Sequence, residues 1–462
     1  MARIAVIGAG PAGFYTADPL LKAGHEVDLY DVLPTPFGLV RAGVAPDHPN
    51  IKAVTRVYEK TASQQGFRFF GGVRFGEHVT RGDLLERYHA IVYAVGTSSD
   101  NRLGIPGEDH AGSHAATEFV AWYNGHPDHA EREFDLSAQR AVVIGNGNVA
   151  IDVARMLVLS PDELAVTDTA DHALEALETA SVEEVVLLGR RGPAQAAFTN
   201  PELRELGELG RADVVVDPAE VALDPLSAEW LESEHASATA KRNVQILQGY
   251  AERPPGEQTH RIVLQFLRSP VEILAENGRV TGLRVVRNRI EAGDDGRLRA
   301  VGTGEEETIP CGLVLRSIGY RGDPLPDVPF DERRGLVRNE GGRVVNEDGE
   351  PLPGEYVVGW IKRGPSGVIG TNKKDAAETV AALLADAEAQ RLNDPADEAD
   401  PDEVEQWLLD RVAHLVTWDG WGAIDAHETE AGQPHGRPRV KLVQTAEMAR
   451  IAAARAAVRR SG

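Results

Sequence analysis

The chain has 462 residues, with 48 Lys+Arg against 72 Asp+Glu for a formal charge of −24, and 42% hydrophobic and 6% aromatic residues. This is the balance of a soluble globular protein of two or three domains, each long enough to bury its own core without a disulfide or metal staple. The negative balance argues against nonspecific nucleic-acid binding and anionic membrane surfaces, which need clustered Lys and Arg.

The single cysteine, Cys311, excludes an intramolecular disulfide, a Cys-X-X-Cys redox pair and a four-cysteine iron–sulfur cluster. No metal ligands are assigned. No apolar run approaches the ~20 residues needed to span a bilayer. The apolar stretch at 4–7 is also too short for a signal peptide, so the cytoplasm is the expected compartment.

In chain order, residues 4–7 predict a strand, GAGPAG from Gly8 a turn, the stretch to about Ala23 a helix, and 27–30 a second strand. Gly8-X-Gly10-X-X-Gly13 between strand and helix is the context that makes this pattern informative. Gly8 suits a tight turn, Gly10 a close approach of backbone to a pyrophosphate, and Gly13 close helix–strand packing; the helix N-terminus, with Pro11 and Ala12, would face the anion. Asp31, ending the second strand, is placed to accept a ribose hydroxyl. Pro19 should kink or shorten the helix.

A second unit follows, with a strand at 141–144, the turn GNGNVA from Gly145, an apolar helix at 151–159 and a strand at 185–188. Its fingerprint, Gly145-X-Gly147-X-X-Ala150, has alanine in third place, which should space helix and strand slightly apart. Two fingerprints imply two dinucleotides. Gly189-Arg190-Arg191 stands where a ribose-reading acid would otherwise sit, and guanidinium forks favour a 2′-phosphate, hence NADPH over NADH. The acidic stretch 161–179 is expected as an inserted surface helix.

Segments 97–109 and 319–329, rich in Gly, Pro and Asp, predict two domain crossings, so the middle domain is inserted into the first. Short strands and turns are expected over 331–358. Trp360 then precedes Gly364, Gly367 and Gly370, with Thr371 as expected N-cap of an alanine-rich helix. Such a loop admits a planar ring and the helix N-terminus stabilises negative charge on it, which fits a flavin. An acidic linker is expected at 393–405, followed by a helix-rich tail.

Four longer segments carry a family resemblance: LPTPFGLVRAGVAPDHP (33–49), GNGNVAIDVARML (145–157), GRRGPAQAAFT (189–199) and VVGWIKRGPSGVIGTNKKDA (357–376). Over nearly its whole length the chain resembles the adrenodoxin-reductase-like ferredoxin–NADP reductases, in particular their actinobacterial members. The resemblance implies an α/β fold of two Rossmann-like domains: a discontinuous FAD domain (1–105 and 325–462) and an inserted NADP domain (106–324). It places FAD contacts on Ala12, Asp31, Leu39, Phe75, Trp360, Gly367, Val368 and Ile369. NADP contacts fall on Asn146, Gly147, Asn148, Val149, Arg190, Arg191, Glu202 and Gly367. Phe75 stands where relatives usually have valine, and Asp31 where they have glutamate. An NADP-contacting arginine of relatives falls on Asn101, with Arg102 one residue on. His48 and Glu205 match residues proposed in the family to assist electron or proton transfer.

The expected activity is therefore hydride transfer from NADPH to FAD, then single-electron transfer to a ferredoxin. The rivals are an NADPH diaphorase or quinone reductase without a ferredoxin and a flavin-bound scaffold or sensor. At −24 overall, docking an acidic ferredoxin needs a local basic surface, for which Lys241, Arg242, Arg204 and Arg211 are the candidates.

Overall fold

A computed structural model describes residues 1–254, 256–396 and 401–461. The chain divides into two units, one of Met1–Ser99, Asn124–Pro127 and Gly319–Gly462, the other of Asp100–Tyr123 and Asp128–Ile318.

In the first unit the strand Arg3–Ile7 pairs in parallel with Glu26–Asp31 on one side and Ala90–Tyr93 on the other. Phe67–Gly71 adds beyond Glu26–Asp31, and Pro351–Val357 pairs in parallel with Ala90–Tyr93, so both ends of the sequence build one sheet. Short antiparallel strands complete its eight at either edge, Arg343–Val345 and Asn339–Glu340 at one and Val416–Thr417 at the other. Period-two alternation assigns the faces. Ile4 and Val6 pack with Phe14, Ala17 and Leu20 of the helix Pro11–Lys22 and with Val380 and Leu383 of the helix Thr371–Glu388; Ala5 and Ile7 pack on the other side with Tyr30, Leu84 and Leu408.

Pro19 does not shorten the first helix, which continues to Lys22. It lies one turn from the end, where the proline removes a single hydrogen bond. Leu20 and Leu21 are buried, and the Ala23 N–H donates to Pro19 O at 3.0 Å, so packing holds the last turn.

The second unit carries a six-stranded, all-parallel sheet in the order Ser113–Ala115, Leu313–Arg316, Arg140–Ile144, Glu184–Leu188, His260–Gln265, Ala212–Val216. Helices cover one face, where Ala141 and Val143 meet Ile151 and Ala154 of the helix Asn148–Val158. The other face is covered by an antiparallel meander, Arg268–Glu276, Arg279–Ala292 and Leu298–Pro310, through Ile273, Leu283 and Val285. Burial on both faces explains why its central strands read as continuous Val/Ile/Leu runs.

The inserted stretch 161–179 is two short helices rather than one, Pro161–Ala165 and Asp171–Glu178. Ser160 and Glu163 form a capping box that starts the first. Thr167 ends it by turning its hydroxyl to Leu164 O at 2.7 Å, a local bond that competes with helix continuation. The acidic linker expected at 393–405 lies partly outside the described residues, and Pro401–Leu409 within it is helical.

Candidate functional site

Each unit presents one glycine turn at the C-terminal edge of its parallel sheet. In the first, the Gly8 N–H donates to Tyr30 O at 2.8 Å, tying the turn to the end of the second strand. Gly8 has φ +116°, and a Cβ there would lie 2.5 Å from Ala94 O; a Cβ on Gly13 would lie 2.1 Å from Gly8 O. Both positions therefore exclude any larger residue. Gly10 is different, because beyond its chain neighbours and own helix no atom of the described residues lies within 4 Å of where its Cβ would be. It caps the helix Pro11–Lys22 with no side-chain hydrogen bond and no acid in the first turn. By contrast, Thr80, Ser160, Asp217, Asp224, Ser237 and Thr417 all cap their helices with a side-chain oxygen. An uncapped N-terminus beside open space is an anion seat.

Asp31 closes one side of this seat, its carboxylate accepting from the Ala9 N–H at 2.8 Å and the Leu33 N–H at 2.9 Å. Burial pushes its carboxyl up to about 6, against the lowering effect of those backbone donors. Sequence reasoning missed the clamp formed by the next loop. The Phe37 N–H donates to Ala9 O at 2.8 Å, and a Cβ on Gly38 would lie 3.0 Å from Gly10 Cα. Leu39 follows, 37% exposed.

On the C-terminal side Gly359, φ +77°, lies where a Cβ would come within 2.7 Å of Ala12 Cβ, and its N–H donates to Asp375 Oδ2 at 2.5 Å. The buried Lys362 holds Asp375 at 3.0 Å. The signal for this contact was the glycine directly before Trp360. Trp360 is half-buried with its ring 5.5 Å from that of Tyr320, and its indole N–H is buried without an acceptor among the described residues. Thr371 is not the N-cap of the helix Thr371–Glu388; Gly370 is, with no side-chain bond. The Thr371 hydroxyl instead accepts from the Val368 N–H at 3.1 Å, folding the loop of Gly367, Val368 and Ile369 back on itself. Val368 is 54% exposed, whereas Ile369 packs on the core. Phe75 is half-buried and edge-on to Tyr93 at 5.7 Å.

The second unit repeats the plan. The Gly145 N–H donates to Leu188 O at 2.9 Å, and a Cβ on Gly145 would lie 2.1 Å from Ser317 O. Gly147 has open space and caps the helix Asn148–Val158 without a side-chain bond or an acid in the first turn. Ala150 is fully buried, and Val149 packs partly on the core. The Asn148 carboxamide accepts from the Thr199 N–H at 2.8 Å, and Asn146 O accepts from the Ala197 N–H at 2.9 Å, so 197–199 is strung along the turn. Arg190 is exposed and Arg191 half-buried, with no carboxylate of the described residues in an ion pair with either. Burial and the neighbouring Arg190 charge pull the Arg191 guanidinium below its ordinary value. Two unneutralised cations held together call for an anion.

A family model described as pyridine nucleotide-disulphide oxidoreductase matches residues 2–187. The NADPH-ferredoxin reductase FprA of Mycobacterium tuberculosis is 52% identical over 460 residues, covering 97% of this chain and 98% of its own length. The mitochondrial NADPH:adrenodoxin oxidoreductase of Arabidopsis thaliana is 40% identical, covering 98% of this chain and 95% of its own. The chain belongs to the adrenodoxin-reductase-like ferredoxin–NADP(+) reductases. The solved structure of Mycobacterium tuberculosis FprA in complex with NADPH matches with a TM-score of 0.91 at 50% identity, over 98% of this chain and 99% of that one.

As a member of these reductases the chain is a flavoprotein oxidoreductase using FAD and NADPH. The disulphide in the family description has no counterpart in its chemistry, since Cys311 is the sole cysteine, and burial pushes its thiol up to about 12. The residues present fit both groups: each turn offers an uncapped helix and an open glycine, the first adds the unpartnered Trp360 indole, and the second adds the two arginines.

Four further residues of the reductase have defined surroundings. His48 is buried at the start of the turn Pro49–Lys52 in the first unit. In the second, Glu205 accepts from Arg155 Nη1 at 2.5 Å on the helix Asn200–Leu206, and Glu202 lies half-buried in that helix's first turn. Arg102 pairs with Asp109 at 2.6 Å and lies 3.7 Å from Glu108, so two acids already neutralise it. No helix among the described residues is long and apolar enough to cross a membrane.

Proposed function

We propose that the turn Gly8–Gly13 holds FAD, the turn Gly145–Ala150 holds NADPH, and the acceptor of the electrons is an iron–sulfur ferredoxin. The observation that carries this reading is the contrast after the second strand of each unit: a carboxylate, Asp31, beside one open turn and two unpaired guanidinium groups, Arg190 and Arg191, beside the other. A carboxylate accepts ribose hydroxyls and repels phosphate, whereas guanidinium groups bind a 2′-phosphate bidentately.

FAD, when bound, would supply the conversion between two-electron hydride chemistry and single-electron transfer. Residues of this chain bind and orient. Backbone N–H groups at Gly10, Pro11's neighbour Ala12 and Gly13 would receive the FAD pyrophosphate, and Asp31 a ribose hydroxyl. Trp360 would offer its indole N–H as a donor, and Gly367–Ile369 backbone facing a planar ring. Leu39 contributes an exposed apolar side chain, and Phe75, edge-on to Tyr93, would contribute through its backbone. On the NADP side, Asn146, Gly147, Asn148 and Val149 would form the phosphate seat, with Glu202 contributing from the first turn of the helix Asn200–Leu206.

His48 and Glu205 would assist electron or proton transfer in this proposal, the one buried at the start of the turn Pro49–Lys52 and the other engaged by Arg155. Arg204, Lys241 and Arg242 are exposed cations suited to an acidic partner, whereas Arg211 spends an N–H on Leu159 O at 3.3 Å. The test is NADPH-driven cytochrome c reduction with and without a low-potential ferredoxin. Strong stimulation by ferredoxin is expected. A rate with small acceptors that ferredoxin does not raise would favour a diaphorase, and NADPH failing to bleach the flavin would favour a scaffold.

A further inference from the structure

The segment after the helix Thr371–Glu388 carries no dinucleotide motif, yet the helix Trp418–Gly432 is wired to the first phosphate turn. Glu428 on that helix is fully buried, and four N–H groups converge on its carboxylate. Arg41 donates from Nη1 at 2.8 Å and Nη2 at 2.5 Å, Arg439 from Nη1 at 3.2 Å, and the Leu442 backbone N–H at 2.9 Å. Arg439 also reaches Asp425 at 2.6 Å. Lys441 Nζ donates to the Arg41 carbonyl at 3.2 Å, so Arg41 is gripped at both its guanidinium and its backbone.

Arg41 lies in the helical turn Leu39–Ala42, directly after Phe37 and Gly38, which rest on Ala9 and Gly10. Phe37 has φ +84°, a strained conformation for an aromatic residue that persists only where surrounding structure over-determines it. Here the same C-terminal helix supplies the constraint: the rings of Trp418 and Trp421 stand edge-on to Phe37 at 6.2 and 5.6 Å, and the Arg41 guanidinium lies 5.4 Å over Trp421. A buried ion pair is a poor source of net stability compared with apolar packing of the same volume, but its directional bonds specify placement.

We propose that Glu428 is a positioning residue for the first nucleotide. It fixes Arg41 and, through Phe37 and Gly38, holds the Gly8–Gly13 turn in its anion-binding shape, which makes residues 418–442 part of the FAD site. This rests on the assignment of FAD to that turn.

The experiment compares full-length wild type with Glu428→Gln and Arg41→Lys after FAD removal. It measures FAD affinity by flavin fluorescence quenching, NADP+ affinity by calorimetry, and Tm with and without FAD. Glu428→Gln should weaken FAD binding at least tenfold and Arg41→Lys less, because lysine keeps the charge but loses the fork. NADP+ affinity should stay within twofold, and the rise in Tm on adding FAD should shrink in both variants. FAD affinity within twofold of wild type, equal losses for both nucleotides, or equal falls in Tm with and without FAD would overturn the proposal. Should Glu428→Gln fail to fold, unchanged FAD affinity in Arg41→Lys overturns it alone. FAD affinity indifferent to Gly10→Ala would instead overturn the assignment of FAD to this turn, and the positioning role with it.

Discussion

The Gly8 N–H donates to Tyr30 O and the Gly145 N–H to Leu188 O, so Asp31 and Gly189 hold equivalent places at the ends of their strands. In the first unit the Asp31 carboxylate fills that place and tethers Ala9 and Leu33. In the second, Gly189 has no side chain, and Asn146 Nδ2 lies 2.9 Å from where its Cβ would be. The third positions differ as well: Gly13 would collide with Gly8 O if it carried a Cβ, whereas Ala150 carries one and is buried. One backbone plan is thus built twice, and the two copies differ in a few side chains around it.

The sharpest way to break this comparison is Gly13→Ala. Its Cβ would sit 2.1 Å from a backbone oxygen, which cannot give way without moving the turn. A loss of roughly 3 kcal/mol in stability is expected, with FAD retention lost alongside. Denaturant unfolding checks it, and a wild-type midpoint would show that the turn is looser than described.

Gly10→Ala and Gly147→Ala should act oppositely to that, because neither Cβ would meet another part of the described residues. Both variants should fold normally. The first should weaken FAD, and the second NADP+, each by about tenfold, or ~1.4 kcal/mol. Titration of each nucleotide against each variant separates the two turns, and crossed effects would reverse the assignment.

Asp31 provides a pH signature. Burial raises its folded carboxyl to about 6 from 3.8, so the stability it contributes to the nucleotide-free protein is present below 3.8 and lost as pH rises through about 6. A ribose hydroxyl donating to the carboxylate favours the ionised form, so FAD affinity should rise by up to about tenfold between about pH 5 and pH 7.5. Asp31→Asn should flatten that profile. The smallest effect is expected at Ala150→Gly, about 1 kcal/mol of helix propensity with NADP+ binding retained, measured by thermal unfolding.

Both glycine turns and their flanking strands were legible in the sequence because their signals are local, with each glycine answering a steric demand within one βαβ unit. The arginine pair was legible for the same reason. What joins distant parts of the chain was not. Phe37 and Gly38 stood in a quoted segment, but nothing local says that they rest on Ala9 and Gly10. Arg41 and Glu428 are 387 residues apart, and their pairing depends on the fold. The meander over 268–310 was unassigned, and Thr371 was misread because a threonine before a helix serves equally well to fold the loop ahead of it. The stretch 161–179 was misread because its acidic run continues through a break where the Thr167 hydroxyl turns back to Leu164 O, a bond no local charge pattern announces.

The most direct test of two turns holding two different nucleotides is the kcat/KM of Arg190→Ala/Arg191→Ala for NADPH and for NADH. Losing the charge-assisted bonds to a 2′-phosphate should cost NADPH about 3 kcal/mol, roughly a hundredfold, while NADH changes little. Equal losses for both coenzymes would contradict the assignment.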